Sequence, residues 1–377
     1  MSDEVFEFLV IGGGMAGASI AAELAPHGSV AVLEMESQPG YHTTGRSAAL
    51  FAPSYGCAAV RAITRASKAF FDAPGPAFGP HPLLTPRGVV FIAREDQSAE
   101  WAALRDELSD APHLRALTPD EAQALCPLLR QGYAQSALLD EQAMDIDVHA
   151  LHQGYIKQLR AHGGQLFTHQ RVERLQHDGQ AWTVGTRQQT WRGRVLVNAA
   201  GAWADELGEW AGASRIGLVP KRRTAATVAA PPGPSLADMP AIIDCAETFY
   251  LRPDAGMLLI SPADETPSPP CDAQADEYDI AVCVDRIQRA FDLPIARIAS
   301  QWAGLRSFVH DKAPVVGFDP QAPNFFWLAG QGGYGIQMAP ALARLGAAWA
   351  LGQAAPRDLL AQGLEVSEVQ VQRLVVG

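Results

Sequence analysis

An arginine set in apolar, strand-like sequence needs a carboxylate, because an unpaired buried charge costs several kcal/mol. The chain places one such residue, Arg306, in Trp302-Ala303-Gly304-Leu305-Arg306-Ser307-Phe308, and an adjacent pair in Pro220-Lys221-Arg222-Arg223. The carboxylate is either an internal Asp or Glu or the acid group of a ligand, gripped by the planar guanidinium fork. Strand alternation lets only one of Arg222 and Arg223 face a shared site and does not say which. Tyr55, in Leu50-Phe51-Ala52-Pro53-Ser54-Tyr55-Gly56, either anchors its loop or closes over a ligand.

A second set of residues fits phosphate. Gly12-Gly13-Gly14-Met15-Ala16-Gly17 matches GxGxxG after an apolar run and at the head of a helix. Gly12 suits the tight turn, Gly14 a close backbone approach to pyrophosphate, and Gly17 close helix packing. Glu34 ends the next apolar run, where it accepts from ribose hydroxyls. Gly40-Tyr41-His42-Thr43-Thr44-Gly45-Arg46-Ser47-Ala48-Ala49 is a small polar loop suited to a second phosphate and an extended ribityl chain. Asn198-Ala199-Ala200-Gly201 is a further small-residue turn. Gly330-Gln331-Gly332-Gly333-Tyr334-Gly335 precedes a helix whose N-terminus favours negative charge on a reduced flavin. Gly-rich elements this far apart suit a long, buried FAD better than a nicotinamide cofactor.

The elements that must position these groups follow from periodicity. Phe6–Ile11, Met15–Ala25 and Val30–Leu33 read as strand, helix and strand, the start of a parallel βαβ unit. Helices are expected over Cys57–Phe71, Ser98–Leu108 and Thr118–Leu125, the last opened by a capping box. Asp147 caps another that runs to His162. Strands are expected over Gln165–Leu175, Ala181–Thr186, Val195–Val197, Ile216–Ala229, Thr248–Arg252, Met257–Ile260, Arg297–Phe308 and Phe325–Ala329, with a late helix over Ile336–Leu351. The Pro-rich acidic stretch Ser261–Asp279 reads as a solvated surface linker.

The chain has 377 residues, 48% of them hydrophobic and 19% charged, which excludes disorder and a coiled coil. Its net charge of −12 argues against a nucleic-acid partner. Five cysteines without a CxxC pair argue for free thiols in a reducing, cytoplasmic setting and against a metal site. No apolar run is long enough for a transmembrane segment, and the N-terminus lacks the basic start of a signal peptide.

Together, Gly12–Gly17 with Glu34, the Gly40–Ala49 run, Asn198–Gly201 and Trp302–Phe308 resemble the D-amino-acid oxidase superfamily of flavoproteins, and within it the bacterial FAD-dependent D-arginine dehydrogenases. The likeness extends over His81-Pro82-Leu83-Leu84, Leu151–Tyr155, Pro220–Arg223, Phe249–Leu251, Pro253–Leu259 and Gln331–Gln337. It implies an α/β fold: a Rossmann-like FAD-binding domain (1–75, 147–215 and 300–377) interrupted by a substrate domain (76–146 and 216–299) with a large mixed β-sheet flanked by helices. It implies non-covalent FAD held by Gly12, Gly14, Met15, Ala16, Gly17, Glu34, Met35, Thr43, Thr44, Arg46, Ser47, Ala48, Ala49, Val172, Ala199, Ala200, Gly201, Gly304, Arg306, Gly332, Gly333, Tyr334, Gly335, Ile336 and Gln337. It assigns the substrate carboxylate to Arg306, Arg223 and Tyr250, the lid to Tyr55, and the remaining pocket to Leu50, Ala241, Ile243, Val90, Gly333 and Gln337.

The implied activity is oxidative deamination of a D-amino acid. With no histidine–acid pair in the sequence, a neutral amine passing its α-hydride to flavin N5 needs no enzymatic base. The chain departs from the arginine-specific pattern at Leu50, where that group carries histidine. It departs again in Thr85-Pro86-Arg87-Gly88-Val89-Val90, which lacks the group's guanidinium-pairing glutamate. Neutral or hydrophobic side chains are therefore expected. Oxidases of the superfamily often place a lysine near the flavin; of four lysines here Lys68 and Lys157 fall on expected helices and Lys312 in a loop, leaving only Lys221 beside the arginine pair, and a dehydrogenase reducing a quinone or dye is expected. An oxidoreductase of N-methyl amino acids or 2-hydroxy acids, a non-catalytic flavin carrier and a nicotinamide enzyme are the alternatives.

Overall fold

The computed structural model describes residues 5–109, 111–233 and 235–375. Two large sheets carry the architecture. The first has a parallel centre: Val5–Ile11 lies between Val30–Leu33 and Thr190–Asn198, Gln165–Phe167 borders Val30–Leu33, and Phe325–Ala329 pairs with the far half of Thr190–Asn198. Antiparallel strands Trp182–Thr186 and Val172–His177 extend it on one side, and Val315–Phe318 pairs with Phe325–Ala329. A parallel sheet must be covered on both faces. Phe8 and Val10 accordingly pack under helices Met15–Leu24, Val148–Ala161 and Gly335–Ala350, while Leu9 and Ile11 join the opposite core with Trp182 and Trp327.

The second sheet is mixed. Its long strands Val219–Ala229 and Ile298–Phe308 pair antiparallel over their whole length, with Arg222 beside Leu305 and Arg223 beside Gly304. Met257–Ser261, Tyr250–Asp254, Ala241–Asp244, Val89–Ala93, Ser136–Asp140 and Arg115–Leu117 continue it in that order. Ala241–Asp244 runs parallel to Val89–Ala93. One face packs on helix Glu277–Ala290; the other, through Val89, Phe91, Leu138 and Ala241, packs on Ala52 with Leu50 and Tyr55. A small third sheet of Leu50–Phe51, Met144–Ile146 and Leu84–Pro86 ties the Tyr55 loop to this face. Among the described residues no helix is long and apolar enough to cross a membrane.

Most expected elements form within a residue or two. The Thr118 capping box is present, its hydroxyl accepting from Glu121 N–H at 3.2 Å, and Asp147 caps its helix by accepting from Ala150 N–H at 2.8 Å. Two readings change, and several elements had none. The strand expected over Gln165–Leu175 is two strands at opposite edges of the first sheet, because the chain turns at His169 (φ 58°) and crosses the ends of the central strands. Helix Glu277–Ala290, capped by Asp276, and the short strands Val89–Ala93, Ser136–Asp140 and Ala241–Asp244 carried no reading. Ser261–Asp279 is not a solvated linker: Thr266–Pro267 adds to the second sheet, and Asp264, Glu265 and Asp272 form ion pairs across to arginines of other elements.

Candidate cofactor and substrate site

The first central strand ends in a turn that only glycine can make. Gly12 has φ 104°, and a Cβ there would lie 2.4 Å from the Ala199 carbonyl oxygen. A Cβ on Gly17 would lie 1.8 Å from the Gly12 carbonyl oxygen, so the helix closes directly on the turn. The backbone N–H groups at the head of helix Met15–Leu24 are partly engaged within the chain. Gly13 N–H donates to Glu34 Oε2 at 2.8 Å and Met15 N–H to Thr44 Oγ1 at 2.9 Å. Glu34, buried at the end of its strand, also accepts from Glu36 N–H through Oε1 at 2.8 Å. Each carboxylate oxygen keeps acceptor capacity for a sugar hydroxyl. His152 fixes the turn from beneath, its Nε2 donating to the Gly13 carbonyl at 2.8 Å. Burial lowers the His152 pKa, which keeps the ring neutral.

One continuous cavity extends from this turn to the second sheet. Of the residues assigned to the cofactor, all but Gly17, Ala49, Tyr334 and Gln337 line it. Gly17 packs on the turn instead, and Tyr334 and Gln337 support the wall. Arg46 lines the cavity with its guanidinium already engaged: it donates to the carbonyls of Ala273 and Ala303 at 2.9 and 3.0 Å and pairs with Asp272. Its role is to tie the Gly40–Ala49 loop to strand Ile298–Phe308, aided by Thr43 Oγ1 donating to the Leu305 carbonyl at 2.7 Å. The cavity also takes in residues that the sequence reading did not assign: Tyr41, His42, Gln170, Arg171, Trp203, Glu206 and Trp210. Tyr41 and His42 stood inside the polar loop and were legible there. Trp203, Glu206 and Trp210 come from a short helix with no nucleotide motif.

At the other end, Arg223, Tyr250, Arg306 and Gly333 line the cavity together. A Cβ on Gly333 would lie 2.7 Å from the Arg306 guanidinium, so the missing side chain is what lets the arginine cross there. Arg306 has no ion pair among the described residues. Its Nη1 donates to Tyr55 Oη at 3.2 Å. Burial works against its charge, but Tyr55, Tyr250 and the more distant Glu247 outweigh it and hold the pKa above the ordinary arginine value. Arg222 and Arg223 part company as alternation requires. Arg222 turns to Asp264 and Asp279, at 3.4 and 2.6 Å. Arg223 turns to the cavity, donating from Nε to the Asp264 carbonyl at 2.9 Å and touching Glu265 at 3.3 Å.

Tyr55, Leu50, Ala241, Ile243 and Gln337 do not line the cavity. Tyr55 stands edge-on to Tyr334 with ring centres 4.9 Å apart, its hydroxyl on Arg306. Leu50, Ala241 and Ile243 form an apolar cluster with Ala52, Phe91 and Tyr55 itself. Val90 is a correction: strand alternation turns it to the opposite face, into the core under helix Glu277–Ala290. Gln337 is buried and holds the loop, accepting from Ala52 N–H at 3.0 Å and donating to the Tyr55 carbonyl at 3.4 Å. The cavity's carboxylates are Glu34 and Glu206, both at the dinucleotide end.

A strand–glycine turn–helix with a terminal acid, opening into a glycine-walled cavity, is the architecture of a flavin dinucleotide site. The family described as FAD dependent oxidoreductase matches residues 7–349. The chain belongs to that family. FAD is accordingly its cofactor. Among relatives of this FAD-dependent oxidoreductase, FAD-dependent oxidoreductase domain-containing protein 1 of Xenopus laevis is 29% identical over 166 residues, covering 40% of this chain and 33% of that protein. Mitochondrial dimethylglycine dehydrogenase of Mus musculus is 25% identical over 385 residues, covering 94% of this chain and 43% of that protein. The chain thus spans about a third to under half of the length of these relatives. Two solved structures share the fold. Glycine oxidase from Geobacillus kaustophilus superposes with TM-score 0.80 at 21% identity, covering 93% of this chain and 95% of its own. L-proline dehydrogenase from P. horikoshii gives 0.78 at 21%, with 94% and 96% covered.

Proposed function

We propose that this oxidoreductase deaminates D-amino acids with neutral or apolar side chains. The observation that carries the reading is Arg306: a guanidinium at the cavity wall, freed by Gly333 and without an acid partner among the described residues. A substrate carboxylate supplies the missing charge, and Arg223 and Tyr250 add donors beside it. Gly12, Gly14, Met15, Ala16, Glu34, Thr43, Thr44, Ser47, Ala48 and Ala199 to Gly201 hold the FAD, which when bound accepts the α-hydride. The chain's own contribution is placement. Anchoring the carboxylate at Arg306 fixes the neighbouring carbon, and Tyr55 shields that position from water. The Cα–H bond breaks with its electron pair, the nitrogen lone pair forms C=N, and water then releases a 2-oxo acid and ammonia.

On this reading the cofactor segments are 1–75, 147–215 and 300–377 and the substrate segments 76–146 and 216–299. Strand Ile298–Phe308 is shared, carrying Gly304 on the cofactor wall and Arg306 on the substrate wall. No carboxylate lines the cavity at the Arg306 end, Glu247 acting on that arginine from outside the lining, and Arg87 is engaged with Asp145 at 2.7 Å; both support neutral side chains. We therefore expect kcat/KM for D-methionine, D-leucine or D-phenylalanine to exceed that for D-arginine. An advantage for D-arginine would defeat the specificity. None of the four lysines lines the cavity, and Lys221 is paired with Glu265 at 2.9 Å. That supports a quinone or dye as electron acceptor, tested by peroxide yield during aerobic turnover. Likeness over 94% of the chain to dimethylglycine dehydrogenase favours a second reading, N-methyl amino acids, which sarcosine and N,N-dimethylglycine would test.

A further inference from the structure

The loop that brings Tyr55 to Arg306 is fastened one residue before Tyr55, to a strand of the second sheet. Ser54 is buried, and its hydroxyl donates to Asp140 Oδ2 at 2.5 Å. Asp140 ends strand Ser136–Asp140 and is fully buried. Its other oxygen accepts from Gln142 N–H at 2.9 Å, and His113 Nε2 stands 3.5 Å away without hydrogen-bond geometry. The arrangement holds serine and histidine on the carboxylate rather than on each other, so it is no nucleophile triad. A buried carboxylate with this few donors depends on each of them. Removing the serine hydroxyl leaves Oδ2 to recruit water or to release the loop.

We propose that Ser54 and Asp140 are positioning residues for substrate capture: their bond sets where Tyr55 stands against Arg306. The inference rests on the carboxylate-binding role proposed for Arg306. The turn is closed by Tyr55 N–H donating to the Ala52 carbonyl at 3.0 Å, and Gln337 holds it from the helix side through Ala52 N–H and the Tyr55 carbonyl. The Ser54 bond adds a polar tie to the second sheet beside the apolar packing of Ala52, Leu50 and Tyr55 on it.

The test uses the FAD-loaded protein and Ser54→Ala, Ser54→Thr and Asp140→Asn. Hydrogen exchange over residues 50–57 should accelerate about 10-fold in Ser54→Ala, with helix Gly335–Ala350 unchanged, and Ser54→Thr should restore protection. With D-methionine as probe, KM should rise about 10-fold in Ser54→Ala while kcat holds or rises, and Asp140→Asn should fall between. Unchanged exchange overturns the proposal. Faster exchange with unchanged KM reduces the bond to a structural fastening and overturns the positioning role. If Ser54→Ala does not fold, Asp140→Asn decides by the same two readouts. If no amino acid reduces the flavin of the wild-type protein, the proposed function fails and the positioning role is overturned with it, whereas reduction in the wild type with KM unmoved in Ser54→Ala overturns the positioning role alone.

Discussion

At the scale of single residues, charge placement separates the arginines. Arg306 meets a phenol and a cavity, Arg223 meets a backbone carbonyl and one half-exposed acid, and Arg222 is held by acids on the far side. Replacing Arg306 with Lys removes the fork while keeping the charge. It should cost about 2–3 kcal/mol, or about 10²-fold in kcat/KM, with the visible flavin spectrum retained. Arg223→Ala should raise KM, and Arg222→Ala should lower Tm and leave KM alone; the reverse pattern would reassign the pair. Gly333→Ala should mimic the Arg306 variants, since its Cβ would sit 2.7 Å from that guanidinium. The sequence alone showed that one of the adjacent arginines must face away; it could not show which, since the deciding acids, Asp264, Asp276 and Asp279, lie about forty to sixty residues on. Val90 was misplaced for a related reason. Apolar residues on both faces of a buried strand give no alternation from which to read a face.

At the scale of elements, the βαβ start was legible because glycine spacing and helical periodicity agree with each other. The strands Val89–Ala93 and Ala241–Asp244 were not, being short apolar runs whose partners lie about 150 residues apart. The segment Ser261–Asp279 misled by composition. Its acids look solvated in one dimension and are spent on Lys221, Arg222, Arg223 and Arg46 in three. A second acid, Asp319, joins elements in the first sheet. It accepts from the backbone of Ser214, Gln321 and Ala322 and from Trp327 Nε1 at 2.8–3.0 Å. Burial pushes its carboxyl up, but Trp327 and the three backbone N–H groups outweigh burial and hold the pKa below the ordinary aspartate value. A depressed pKa stabilises the fold above the unfolded value, near 3.9, and the stabilisation fades as pH falls through the folded one. Asp319→Asn should therefore lower Tm at pH 7 by a few degrees, about 1–3 kcal/mol. The gap to wild type should narrow in melts below pH 4; a gap independent of pH would refute the assignment.

At the scale of the whole molecule, one sheet supplies the dinucleotide turn and the other the arginines, and the cavity lies where strand Ile298–Phe308 brings them together. On the proposed site FAD draws on groups from both, so its removal should lower Tm and its return restore it, by about 3–4 kcal/mol at 100- to 1,000-fold excess over Kd. The most direct measurement is anaerobic mixing of the FAD-loaded protein with a panel of D- and L-amino acids, followed by the flavin absorbance. The flavin should bleach with neutral D-amino acids at rates that fall about 10²-fold or more in Arg306→Ala. Bleaching by no amino acid, or bleaching undiminished when Arg306 is removed, would contradict the account.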